Sequence, residues 1–221
     1  MTEEKRSRRK KQRFLAVLVT DLVLACAILV TGTLLLVRWY RETHRPDLSE
    51  LVAPDWYKQE FLTFNPYSRP GTKREKINSI VVHYVANPGT TAVQNRSYFE
   101  NLAHQSSGKK VSASSHYIIG IDGEILQLIP LDEVAYANYP RNEDTVSIEC
   151  CHPDSTGEFT EETKEALVKL TAWLCGELDL TERDVIRHYD VSGKNCPKYY
   201  VEQEDAWEEL LKDIKKKRKE S

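Results

Sequence analysis

In the stretch VIRHYDVSGKNCPKYY, Val185 to Tyr200, His188 is followed eight positions later by Cys196, with Lys194 between them. Imidazole and thiolate both suit zinc, and a catalytic zinc commonly takes three protein ligands and keeps a fourth position for water. A third donor must come from elsewhere in the chain. The other histidines and cysteines to weigh are His83, His104, His116, His152, Cys150, Cys151 and Cys175. His83 is the one placed like His188: it closes the β-branched run INSIVVHY, as His188 closes DVIRH. The C-terminal ends of strands are where an α/β sheet presents side chains to a cleft. Spacing alone leaves a second reading open, of two hydrogen-bonded strand-end histidines and a buried thiol.

Glu149 and Lys194 bear on that choice. Glu149 lies in TVSIECC on the face opposite Val146 and Ile148, so it is either solvated on an edge strand or set in a cleft. Beside a zinc, such a carboxylate takes the proton of a water that attacks a carbonyl. Lys194 is either a solvated loop lysine or an ammonium near a developing oxyanion.

The elements that must position these residues follow from the pattern. From Ile77 the chain reads as a compact α/β domain. TTAVQNRSYFENLAHQ predicts a helix with Thr91 and Gln94 in capping-box spacing and Val93, Phe99 and Leu102 on one face. HYIIGIDGEILQLIP predicts a hairpin turning on the two residues Asp122-Gly123. TVSIECC is a strand, and Thr160 caps an amphipathic helix carrying Leu167, Leu170, Leu174 and Leu178. A last helix, about Glu204 to Lys217, buries Trp207, Leu210, Leu211 and Ile214 before its lysine-rich end frays. Strands alternating with helices imply an α/β fold, a mixed central β-sheet flanked by helices.

The start of the chain is different. Its first 13 residues hold seven Lys/Arg against two Glu, so a net charge of −3 for all 221 residues leaves about −8 for the rest. A mildly acidic body argues against nucleic-acid binding. Phe14 to Val37 carries one charge, Asp21, and at about 1.5 Å per residue it spans roughly 36 Å, enough for a hydrocarbon core. A cleaved signal peptide is the competing reading, but the ten apolar or small residues after ACA (25–27) favour an uncleaved transmembrane helix. The basic block then places the N-terminus in the cytoplasm and everything after the span outside it, anchored in the cell membrane. The expected organisation is a basic cytoplasmic tail (1–13), a transmembrane anchor (14–37), a proline-containing stalk (38–64), one domain (65–214) and a basic tail (215–221). Five cysteines, one of them in the span and two adjacent, make no disulfide framework.

Four segments together, IVVHY…NPGTTA…NRSYFENL, SASSHYIIGIDGEILQLIP, NEDTVSIECCHPDSTGEF and RHYDVSGKNCP, resemble the zinc-dependent N-acetylmuramoyl-L-alanine amidase family in the expected order, over most of Asn65 to about Ile214. The resemblance implies a zinc held by His83, His188 and Cys196, with Lys194 catalytic and Glu149 as the general base that some members use. It implies peptidoglycan as the partner, cleaved between the lactyl group of N-acetylmuramic acid and L-alanine. Other members carry a catalytic tyrosine where this chain has Ser115, which points to the glutamate-dependent branch and gives Tyr117 no such role. Tyr84 and His116 are candidates for substrate contact. Some family members lack the cysteine and only bind the wall, so a tethered, non-catalytic wall-binding module is the alternative. The presence of Cys196 favours hydrolysis.

Overall fold

The computed structural model describes residues 3–43, 46–106 and 108–220, which fall into two compact units parted at Pro46. The first is one helix, α1 (Glu3–Thr43). Within it Leu15–Val37 is long and apolar enough to cross a membrane, a property that signal sequences share. Thr20, Thr31 and Thr33 donate their hydroxyls to carbonyls of Ala16, Ala27 and Leu29 one turn back, so these polar groups are satisfied inside the helix.

In the second unit, six short strands form one sheet: β1 (Lys58–Gln59), β2 (Ser79–Tyr84), β3 (Tyr117–Ile119), β4 (Ile125–Gln127), β5 (Thr145–Cys150) and β6 (Val185–Arg187). Their order is β1-β4-β3-β5-β2-β6; the β3–β4 pair is antiparallel and the others are parallel. The helices are α2 (Ala92–Asn101), α3 (Glu161–Glu177), α4 (His188–Ser192), α5 (Lys198–Glu202) and α6 (Glu204–Glu220). Alternation along the strands divides the core in two. Ile80, Val82, Tyr117, Ile119, Val146 and Ile148 meet Leu167, Leu170 and Leu174 of α3 and Trp207, Leu210 and Ile214 of α6. Ile118 and Leu126 point the other way and meet Phe99 of α2 with Leu102, Leu128 and Ile129. The mixed, helix-flanked sheet that the pattern predicts is the fold.

Several local expectations hold. Thr91 and Gln94 form a reciprocal capping box on α2, and Thr160 Oγ1 accepts from the Thr163 N–H to cap α3. Others need correction. The hairpin loop has three residues, not two: Ile119 pairs with Ile125, Gly120 N–H donates to the Glu124 carbonyl, and Ile121, Asp122 and Gly123 make the turn. Gly123 takes φ +80° there, as the third position of such a loop requires. Val93 faces solvent, because α2 buries Ala92 and Phe99 instead. The segment expected as a stalk is part of the domain from Pro46 onward. Leu48, Tyr57 and Leu62 are buried, β1 is a sheet edge, and Trp56 meets Trp173 at 6.0 Å between ring centroids. No helical or strand period marks these anchors, so prolines and mixed charge outweigh them in the sequence. The lysine-rich end remains helical to Glu220, with Lys215 and Arg218 on Glu182 at 3.1 and 3.2 Å.

Candidate metal centre

Register brings the first two groups together. β2 and β5 run parallel with His83 paired to Glu149, so the two side chains leave the same face at the strands' C-terminal ends. β6 lies on the other side of β2, with Arg187 opposite Val82, so the next residue, His188, falls beside His83. His188 is the first residue of α4 rather than the last of a strand, and its ring stands 4.5 Å from that of His83 between centroids. Arg187 fixes this corner by bonding Asp190, Glu204 and the Tyr200 carbonyl, tying β6 and α4 to α5 and α6. The chain then returns so that the Tyr189 N–H donates to the Cys196 carbonyl at 2.9 Å, which sets the thiol against the two rings.

One ligand atom from each of His83, His188 and Cys196 lies within 4.8 Å of the others. His83 Nδ1 is 3.7 Å from Cys196 Sγ and 3.8 Å from Glu149 Oε1. The far nitrogen of that ring, Nε2, is 2.6 Å from Asn138 Oδ1. Two polar atoms here, His188 Nδ1 and Glu149 Oε2, are buried with no hydrogen-bond partner among the described residues. Burial dominates the electrostatics. It pushes His83 down to about 3, helped by His188 and Lys194, and His188 down to about 4, helped by Lys194. It pushes Glu149 up to about 8 against the pull of Lys194, and Cys196 up to about 12 with Glu149 adding to the rise. The 3.8 Å approach of His83 to Glu149 is therefore a contact of neutral groups, not an ion pair. Two imidazoles, a thiol and a carboxyl brought together, with two buried polar atoms left without a partner, fit a divalent soft-to-borderline cation such as zinc.

Lys194 is exposed, and its charge is felt at His83, Glu149, His188 and Cys196 alike. Tyr84 is half-buried at the end of β2, 5.1 Å from the His152 ring. His116 is corrected: it is wholly buried, with its ring nitrogens 2.8 Å from Arg74, 3.0 Å from Ser147 Oγ and 3.1 Å from the Glu133 carbonyl. A ring so enclosed holds the core and reaches no substrate. Ser115 is also buried, with its hydroxyl on main-chain carbonyls of Tyr117 and Ser147, and Tyr117 packs in the core against Tyr57. His104 is exposed and outside the cluster, and all five cysteines are free thiols. Asn138 is the residue at the site that the sequence did not suggest. It lies in the polar turn ANYPRNED, where no period or spacing distinguishes it.

Fold and site define the class: an α/β domain whose mixed sheet presents a His–His–Cys cluster and a glutamate at the C-terminal ends of its central strands. A sequence profile of N-acetylmuramoyl-L-alanine amidases matches residues 73–199, and the chain belongs to that family. It is 32% identical over 155 residues to the N-acetylmuramoyl-L-alanine amidase CwlL of Bacillus licheniformis, covering 65% of this chain and 42% of that protein. It is 30% identical over 182 residues to the amidase BlyA of Bacillus subtilis (strain 168), covering 73% and 47%. The chain thus spans less than half the length of these curated relatives. Among solved structures, a mutant endolysin from Bacillus subtilis superposes with a TM-score of 0.59 at 26% identity, over 72% of this chain and 97% of that one. The catalytic domain of XlyA does so with a TM-score of 0.58 at 25% identity, over 72% and 98%.

Proposed function

We propose that this chain is a membrane-anchored, zinc-dependent N-acetylmuramoyl-L-alanine amidase, which hydrolyses the amide between the lactyl group of N-acetylmuramic acid and L-alanine in peptidoglycan. The observation that carries the reading is the convergence of His83, His188 and Cys196 within 4.8 Å, beside Glu149 on the adjoining strand. Those three residues would hold the zinc, which when bound supplies a Lewis acid for the scissile carbonyl and acidifies water. Glu149 takes the proton of the attacking water and returns it to the leaving amine. A carboxylate beside the three candidate ligands, on the strand adjoining His83, is within reach of a water held there. Lys194 places its ammonium where negative charge develops on the carbonyl oxygen. Tyr84, half-buried at the end of β2, is the proposed substrate contact.

The test is product analysis after incubating the full chain with purified sacculi and zinc. Release of intact stem peptides beginning with L-alanine supports the assignment. Binding to sacculi without hydrolysis, and without zinc, identifies a wall-binding module instead. Cleavage inside the stem peptide identifies a different amide hydrolase. Glu149→Gln is expected to keep stoichiometric zinc while losing about 10²–10⁴-fold in kcat; near-normal turnover removes the general-base role.

The basic N-terminal segment supports an orientation with that end in the cytoplasm and the domain facing the wall. The chain is expected to stay with membranes through alkaline carbonate extraction, and to leave them when residues 1–43 are deleted. A mature protein that begins at Ile28 or later would show a cleaved signal instead.

A further inference from the structure

We infer that Asn138 and Thr145 form a hydrogen-bond relay that decides which nitrogen of the His83 ring is bare, and so prepare the metal-facing donor from outside the donor set. The inference rests on reading the cluster as a zinc site. It begins at the Arg141 carbonyl, which can only accept. Thr145 Oγ1 lies 2.6 Å from that oxygen and gives it its single proton. The same Oγ1 then has only lone pairs left for Asn138 Nδ2, which donates to it at 2.7 Å. With its amide nitrogen committed, Asn138 presents Oδ1 to His83 Nε2 at 2.6 Å. An amide oxygen accepts only, so Nε2 carries the proton and Nδ1 is bare. Nδ1 is the nitrogen that faces Cys196 Sγ and Glu149 Oε1.

The relay is held rigidly. Asn142 Oδ1 accepts from the backbone N–H groups of Ala137 and Asn138, at 3.1 and 2.6 Å. Asn138 and Thr145 are 1% and 0% exposed, so water does not compete for these bonds. Thr145 opens β5 and Glu149 lies near its end, so one strand supplies both the residue that orients the ring and the carboxylate beside it. Asn138 acts through His83 and touches no substrate: it is a positioning residue. A neutral amide also fixes the tautomer without adding a further negative charge next to a thiolate and a glutamate.

The test uses the full chain in detergent, labelled with ¹⁵N-histidine and stripped of metal by a chelator. Its six histidines keep the long-range ¹H–¹⁵N correlations resolvable. Wild type is expected to show His83 protonated at Nε2. Asn138→Leu and Thr145→Val are expected to lose that tautomer, giving an Nδ1-protonated or mixed ring. In competition with a chromophoric chelator, Asn138→Leu should weaken zinc binding about 10–100-fold, with Thr145→Val changed in the same direction and Thr145→Ser like wild type. If Asn138→Leu does not fold, by circular dichroism, the Thr145→Val and Thr145→Ser pair decides the matter alone. Protonation of His83 at Nδ1 in wild type overturns the relay, as does retention of wild-type tautomer and zinc affinity in the variants that break it. Should the chain bind no zinc at all, the zinc reading fails, while the ring tautomer still decides the relay.

Discussion

At the scale of single residues, the site is a conflict between burial and charge. His83 and Cys196 are 2% and 1% exposed, and the low-dielectric surroundings favour the uncharged form of every ionisable group among them. Neutral imidazoles are the form that binds a cation, and a bound cation enforces the thiolate that Cys196 must become. Lys194 differs in being exposed: it contributes field without needing a buried partner. Replacing it tests whether that field acts on the reaction or only on the fold. Lys194→Met is expected to bind zinc as wild type does and to lose about 10²–10³-fold in kcat with KM little changed, as removal of a single charge-stabilising donor does elsewhere. Steady-state kinetics on soluble muropeptides with parallel zinc analysis would measure it. Loss of zinc in that variant would assign Lys194 to site assembly instead.

At the scale of elements, the parallel pairing of β2 with β5 and β6 carries most of the positioning. It sets three side chains on one face without any long-range hydrogen bond between them. The β3–β4 hairpin has a separate task, because its loop docks on the start of α3. Thr160 and Thr163 donate their hydroxyls to the Ile121 and Gly120 carbonyls at 2.6 and 2.8 Å. At Gly123 a Cβ would come within 2.9 Å of the Glu162 carbonyl oxygen, and the backbone already sits at φ +80°. Gly123→Ala therefore meets strain and a backbone clash together, and is expected to destabilise the domain by about 1–3 kcal/mol. Urea denaturation checks this, and zinc affinity is expected to be unchanged because the loop supplies no residue to the cluster.

At the scale of the whole domain, the buried network of Arg74, His116, Ser147 and Glu133 couples stability to pH. Burial, reinforced by the neighbouring Arg74 guanidinium, holds His116 well below its ordinary value, while the Glu133 carbonyl pulls weakly the other way. A histidine depressed in the native state takes up its proton only on unfolding. Its effect on stability is nil above the unfolded pKa of about 6.5 and grows more unfavourable as pH falls below it. Each such group removes about 1.4 kcal/mol per pH unit in that window. The zinc-saturated chain is expected to be most stable above pH 6.5, and His116→Gln to lower the proton uptake on unfolding by about half a proton at pH 6.5, rising toward one near pH 5. Denaturation midpoints across that range measure the slope; an unchanged slope would show that His116 is not the group responsible.

The amino-acid order by itself determined a good deal. Period-2 and period-3.6 patterns located five of the six strands, all but β1, and the α3 and α6 helices; capping residues marked where α2 and α3 begin, and strand-end histidines pointed to one end of the sheet. These are local properties, set by neighbours within a few residues of each other. The tertiary structure decided what depends on distant partners. It seated Leu48, Tyr57 and Leu62 in the domain rather than in a stalk. It enclosed His116 in a core network built from Arg74, Ser147 and Glu133, residues far apart along the chain. It also brought Asn138 to His83 across 55 residues. Burial and hydrogen-bond direction arise only when separate segments meet, so only there does one histidine lie enclosed in the core and another beside a second histidine and a thiol.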